Sequence, residues 1–264
     1  MIKGGKAPSL ADLKIRIFAD GADRRDILEM YAQPFIAGFT TNPTLMRKAG
    51  IRDYKAFALD LLDAIPDRPI CFEVFSDDMR EMERQAETIA SWGENVYVKI
   101  PVTNTRGANT CDLIGRLTSR GVKVNVTAVM TLQQVKDVAP CLSYGAASYL
   151  SIFAGRIADT GRDPAPIMKE AVRLLSKTAP NTELIWASPR ELLNLFHADA
   201  VGCHIITVTR GILDKLPLLG KDLGEVSLET VKMFSDDAEK AGYSLSESDK
   251  LGVESAYERV VSVR

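Results

Sequence analysis

In the stretch NVYVKIPVT at 95–103, a lysine stands inside an apolar, β-branched run, and such a run reads as a strand. By the two-residue period of a strand, Lys99 shares a face with Tyr97 and Pro101. Burial disfavours an ammonium, so the pKa of Lys99 is expected to fall, leaving a neutral amine able to form an imine with a ketone. A lysine snorkelling to a rim, or neutralised by a structural ion pair, fits that strand too. Two carboxylates could move protons for it. Asp20, in RIFADGAD, could take the proton of the hydroxyl whose oxygen becomes the carbonyl of a departing aldehyde, or it could cap the following helix. Asp23 is the better placed cap. Glu73, in ICFEVFSDD, lies in a strand apolar on both sides, where a carboxylate is costly unless paired or working. It could hold a water that relays protons, or simply pair with Lys99. Arg156 in SIFAGRIAD and Arg190 in WASPREL stand beside serines near expected helix starts, where two guanidinium groups could bind a phosphate dianion.

These groups need a scaffold that brings them together. Apolar β-branched runs at 15–19, 35–38, 70–75, 96–100, 123–127, 149–153, 184–187 and 204–208 read as strands. Helical periodicity fills 24–32, 54–64, 78–92, 109–119, 132–138, 165–177 and 189–196. Alternation of this kind implies a parallel sheet, and eight units predict a closed (β/α)8 TIM barrel of the α/β class. The competing open, doubly wound sheet would favour a glycine-rich first turn, but FADGADRRD holds one glycine. Barrel enzymes work at the C-terminal ends of their strands. Here those ends carry Asp20, Thr41 with Asn42, Glu73, Lys99, Asn125 with Thr127, Ser151, Ser188 with Arg190, and Thr207. Nothing divides the chain internally, so a single barrel domain over 1–264 is expected, with an N-terminal extension (1–14) and a helical C-terminal tail (220–264).

Composition excludes several classes of function. With 33 basic and 35 acidic residues the net charge is −2, so no global basic field points to nucleic acid or an anionic membrane. No run reaches the roughly 18 apolar residues of a spanning helix, and the first residues lack the apolar stretch of a signal peptide, so a cytoplasmic protein is expected. The four cysteines, Cys71, Cys111, Cys141 and Cys203, have no metal-type spacing and read as reduced and structural. His197 and His204 lack partners at ligand spacing, so no metal is expected, and no P-loop or dinucleotide fingerprint is present. Asp77 and Asp78 read as a helix cap.

The strand-end motifs resemble the transaldolase family, a class I aldolase branch with small transaldolases and fructose 6-phosphate aldolases. The resemblance rests on FADGAD from Phe18, GFTTNPTLM at 38–46, FEV at 72–74, VKIPVT at 98–103 and NVTAVMT at 125–131. It continues through YLSIFAGRIADTGRD from Tyr149, WASPREL from Trp186 and GCHIITV from Gly202, in family order over roughly 15–235. It implies Lys99 as the Schiff-base lysine, Asp20 and Glu73 as the acid/base pair, and Thr127 as a positioner of the catalytic water. It implies further that Thr41, Asn42, Asn125, Ser151 and Phe153 line the dihydroxyacetone unit, with Arg156, Ser188 and Arg190 at the phosphate. The implied reaction moves dihydroxyacetone from a ketose phosphate, of the sedoheptulose 7-phosphate or fructose 6-phosphate type, to an aldose phosphate. It needs no cofactor and belongs to pentose phosphate metabolism. A homo-oligomer, pentamer or decamer, is implied as well. Glu73 and Phe153 stand where the aldolases tend to have glutamine and tyrosine, which favours transfer over cleavage. Ile152 replaces a common proline and Ala158 a common acidic residue, so a modified sugar is a subcase. A fructose 6-phosphate aldolase-type lyase and a non-catalytic sugar-phosphate-binding barrel are the alternatives.

Overall fold

The eight expected strands close on themselves. The structure, a computed structural model, describes residues 9–143 and 145–245. Its strands are β1 (Arg16–Asp20), β2 (Ile36–Thr40), β3 (Ile70–Glu73), β4 (Val96–Pro101), β5 (Val124–Val129), β6 (Ser148–Ile152), β7 (Thr182–Trp186) and β8 (Ile205–Thr209). All pair in parallel, in sequence order, and β8 returns to β1. Between them run α1 (Arg24–Tyr31), α2 (Pro43–Lys48), α3 (Tyr54–Ala64), α4 (Met79–Ala90), α5 (Cys111–Ser119), α6 (Leu132–Leu142), α7 (Ala154–Ala158), α8 (Ala165–Thr178) and α9 (Asn194–Ala200). After β8 come α10 (Arg210–Leu213) and α11 (Leu223–Ala241).

Residues 9–216, the barrel, form one compact unit, and α11 belongs to a second that takes in the described residues from Pro217. Within its own unit α11 starts at an Asp222 cap and stops at Gly242, whose φ of 66° suits a residue without a Cβ. The parts of the expected extension and tail at 1–8 and 246–264 lie outside the described residues. No described helix is long and apolar enough to cross a membrane.

Where element ends differ from expectation, a tertiary contact explains the shift. The strand expected to reach residue 75 stops at Glu73, because Gln85 Oε1 on α4 accepts from the amides of Phe75 and Ser76 at 2.9 and 3.1 Å. A helix expected from 189 begins only at Asn194, whose Oδ1 takes the amides of Arg190 and Glu191. The start of α5 moves from 109 to Cys111 because Asn109 bridges back to Thr103. Asp23 caps α1 as expected, accepting from the Asp26 amide. Of the acidic pair only Asp78 caps a helix, whereas Asp77 accepts from the amide and hydroxyl of Thr105. His204 Nδ1 accepts the Leu184 amide, a structural role. All four cysteines are free thiols.

Two apolar groupings hold the barrel. Outward residues such as Val98, Ile100, Val124 and Val126 pack against the helices in the main core. Inside the barrel a smaller cluster of Phe18, Cys71, Tyr149, Ile185, Ala187 and Ile205 is joined by Tyr97 and Phe153. Tyr97 and Tyr149 stack at 4.0 Å between ring centroids, and Phe18 meets Tyr149 edge-on at 5.8 Å. Gly38 makes room for Phe18, since a Cβ there would lie 2.6 Å from its ring. On β4 the two-residue period sends Tyr97 into this plug and Lys99 to the next inward position, nearer the C-terminal mouth.

Candidate active site

Lys99 lies at the centre of a buried polar group. It is 5% exposed, its Nζ donates to the Thr41 carbonyl at 2.6 Å, and it pairs with Glu73 Oε2 at 3.1 Å. Strand register sets this up, because Glu73 on β3 is the Cα partner of Lys99, and Asn125 on β5 is its partner on the other side. The expected fall in the lysine pKa is overturned. Burial does pull it down, but the charges of Glu73 and Asp20, with the Glu73 hydrogen bond, more than offset that, and the pKa rises. The raised pKa favours the ammonium form of Lys99, so its attack on a carbonyl would require a nearby proton acceptor.

Asp20 is not a helix cap. Its Oδ1 accepts from Thr40 Oγ1 at 2.7 Å, and Thr40 Oγ1 lies 2.5 Å from Thr207 Oγ1. Burial pushes the Asp20 carboxyl up, with Lys99 and the Thr40 hydroxyl opposing. A carboxyl poised in this way can both take and return a proton. Thr40 was absent from the expected site. Strand alternation could have found it, since Thr40 lies two residues beyond the inward Gly38.

The other expected residues divide by use. Ser151 Oγ donates to Asn125 Oδ1 at 2.7 Å, and Asn125 Nδ2 reaches Cys71 Sγ at 3.5 Å, so those two form one buried network. Thr41 contributes its carbonyl to Lys99 while its hydroxyl is spent on the Cys71 carbonyl at 3.0 Å. Asn42 caps α2 through Oδ1, which leaves its amide nitrogen for a ligand. Thr127 Oγ1 is buried without a hydrogen-bond partner. Beside it, Ala128 has φ 61° and the β5–β6 register shifts between Val126 and Val129, a distortion of the kind found next to active sites. Tyr54 on α3 also contributes, donating to the Glu73 carbonyl at 2.7 Å and so pinning the end of β3.

Arg156 and Arg190 stand on the segments after β6 and β7. Arg156 is exposed on α7, with its guanidinium 5.8 Å from the centre of the Phe153 ring. Arg190 is bound to Asp159 by two hydrogen bonds. Ser188 has φ 60°, and its carbonyl lies 1.5 Å from where a Cβ on Gly155 would be. Gly155 also donates its amide to the Ala187 carbonyl at 3.4 Å, so the two segments meet backbone to backbone. Gly155→Ala is expected to force them apart and to cost about 1–3 kcal/mol, the usual range for overpacking. Thermal unfolding would read this, and a Tm within a degree of wild type would count against the clamp.

A family described as transaldolase/fructose-6-phosphate aldolase matches residues 17–254. The chain belongs to that family. It is 33% identical over 199 residues to a "Probable transaldolase" of Dehalococcoides mccartyi, covering 75% of this chain and 88% of the relative. A "Probable transaldolase" of Thermoanaerobacter sp. is 32% identical over 231 residues, covering 88% of this chain and all of the relative. A solved structure described as a "putative lyase/mutase" from Burkholderia cenocepacia superposes with a TM-score of 0.51 over 90% of this chain and 89% of that one. At 14% identity that likeness concerns the fold alone.

Proposed function

We propose that the protein is a transaldolase that carries dihydroxyacetone as a Schiff base on Lys99. The observation that supports this most is the buried Lys99, ion-paired with Glu73 and within the electrostatic influence of Asp20. In the reading we favour, Glu73, 3.1 Å from Nζ, accepts the lysine proton as the amine attacks the C2 carbonyl of a ketose phosphate. Loss of water from the carbinolamine gives the imine. Asp20 then takes the proton of the C4 hydroxyl as the C3–C4 bond breaks, and an aldose phosphate leaves. The enamine kept on Lys99 attacks the aldehyde carbon of an incoming aldose phosphate, Asp20 returns the proton, and water releases the new ketose. Thr127 would position that water. Asn42, Asn125 and Ser151 would hold the dihydroxyacetone hydroxyls, with Arg156, Ser188 and Arg190 at the phosphate.

This chemistry asks for no cofactor. By the same reading the enzyme works in the cytoplasm, in pentose phosphate metabolism, as a homo-oligomer whose barrel is the catalytic domain and whose tail is an appendage. Borohydride treatment in the presence of fructose 6-phosphate tests it. A reduced dihydroxyacetone adduct on the Lys99 peptide, depleted when erythrose 4-phosphate is added, is the expected result. An unmodified Lys99 in folded protein, across a panel of ketose phosphates, would reject it.

One residue separates transfer from cleavage. Phe153 packs with the interior cluster and brings no hydroxyl to the enamine. A tyrosine would offer a proton relay from solvent and release free dihydroxyacetone. Phe153→Tyr is therefore expected to raise the ratio of cleavage to transfer several-fold, measured as free dihydroxyacetone formed without acceptor. An unchanged ratio would favour the lyase reading or another determinant.

A further inference from the structure

Arg190 is held by a neighbouring carboxylate. Its Nε donates to Asp159 Oδ1 at 3.0 Å and its Nη2 to Asp159 Oδ2, so one edge of the guanidinium is fully engaged. A guanidinium fork has a second usable edge, made of Nη1 and the remaining hydrogen of Nη2. Both side chains are about half exposed, at 48% and 52%, and an exposed ion pair contributes little to stability. What the pair does contribute is order. Asp159 ends α7, and α7 is locked to the Ala187–Ser188 backbone through Gly155. The carboxylate is thus a fixed point from which the arginine is aimed.

We propose that Asp159 is a positioning residue for the phosphate end of the substrate: it grips the Nε/Nη2 edge of Arg190 and leaves the opposite edge, already ordered, for the anion. The inference rests on the reading of Arg190 as a phosphate contact. Two effects of Asp159 oppose each other. Its charge repels a phosphate, and its grip spares the substrate the cost of ordering a long side chain. The grip prevails, because the charge is spent on Arg190 and screened by solvent, whereas ordering an arginine from scratch weakens binding several-fold.

The experiment compares wild type, Asp159→Ala, Asp159→Asn, Arg190→Ala and the Asp159→Ala/Arg190→Ala double variant. Donors are fructose 6-phosphate and unphosphorylated fructose, at fixed erythrose 4-phosphate. Asp159→Ala is expected to raise KM for fructose 6-phosphate roughly three- to tenfold, with a smaller change in kcat and none in kcat/KM for fructose. Asp159→Asn, which keeps the shape and one acceptor, falls between. In the Arg190→Ala background, loss of Asp159 adds nothing. A lower KM in Asp159→Ala, an equal change for both donors, no change at all, or the same effect without Arg190 would each overturn the proposal. A wild-type protein with no trappable Lys99 adduct would defeat the transaldolase reading instead. In that case calorimetry of inorganic phosphate binding, weaker by the same factor in Asp159→Ala or unchanged, still decides the role of Asp159.

Discussion

Lys99→Ala is expected to abolish turnover, by roughly five orders of magnitude or more, the scale on which covalent enzymes lose activity when their nucleophile is removed. Neither Glu73 nor Asp20 can replace an amine that must become part of an imine. Borohydride should trap nothing on the variant. The same substitution has a second, separable consequence. Removing one partner from a buried charged group costs about 3–5 kcal/mol, because carboxylates are left without their cation. Asp20 is the informative one: burial pushes its carboxyl up in the native state, and Lys99 is the largest influence holding it down. Without Lys99 its folded pKa rises further above the unfolded value. The folded state then binds a proton that the unfolded chain releases, so stability is retained at low pH and lost as pH rises through the folded pKa. Denaturant unfolding should therefore show the deficit against wild type growing as pH rises above the ordinary carboxylate range. Turnover near that of wild type would end the Schiff-base mechanism. A deficit that does not vary with pH would mean the lysine does not hold the Asp20 charge.

Glu73→Gln is expected to reduce kcat by about 10²- to 10³-fold, the usual worth of a positioned acid/base group. It should also move the pH dependence, and the sign is specific. Burial drives the Lys99 pKa down, and the Glu73 charge is the larger of the two carboxylate charges that more than offset it. With glutamine at 73 the balance tips back toward burial, the lysine pKa falls, and the neutral amine becomes available at lower pH. The rate of borohydride trapping, followed against pH, should show its rising limb displaced acidward even as turnover collapses. A limb that stays in place would remove Glu73 from contact with the lysine proton. A displaced limb with undiminished turnover would leave Glu73 an electrostatic neighbour only.

Much of this arrangement was readable in the residues, for reasons that also explain what was not. The apolar run around Lys99 made it a strand residue, and the barrel rule placed it, with Asp20 and Glu73, at one end of the sheet. Both steps use local pattern alone. The direction of the lysine pKa was not local, since it depends on Glu73 being its neighbour across the β3–β4 register and on Asp20 lying close by. The role of Thr40 escaped notice because a hydroxyl is unremarkable until its partners Asp20 and Thr207 are known. Asp159 was invisible as a partner for Arg190 because the pair joins segments 31 residues apart. Helices α2, α7 and α10 span six, five and four residues, too few for any periodicity to register.

The plug of Phe18, Tyr97, Tyr149, Ile185 and Ile205 fills the barrel interior beneath the lysine. On the proposed reaction, both sugars would reach Lys99 from the C-terminal mouth of the barrel. A departing aldose would then have to leave by the way the next aldehyde enters, so the two half-reactions would take turns at the same threshold. Ping-pong kinetics, with each sugar crowding out the other at high concentration, would then follow from the plumbing of the barrel as much as from the chemistry of the proposed imine.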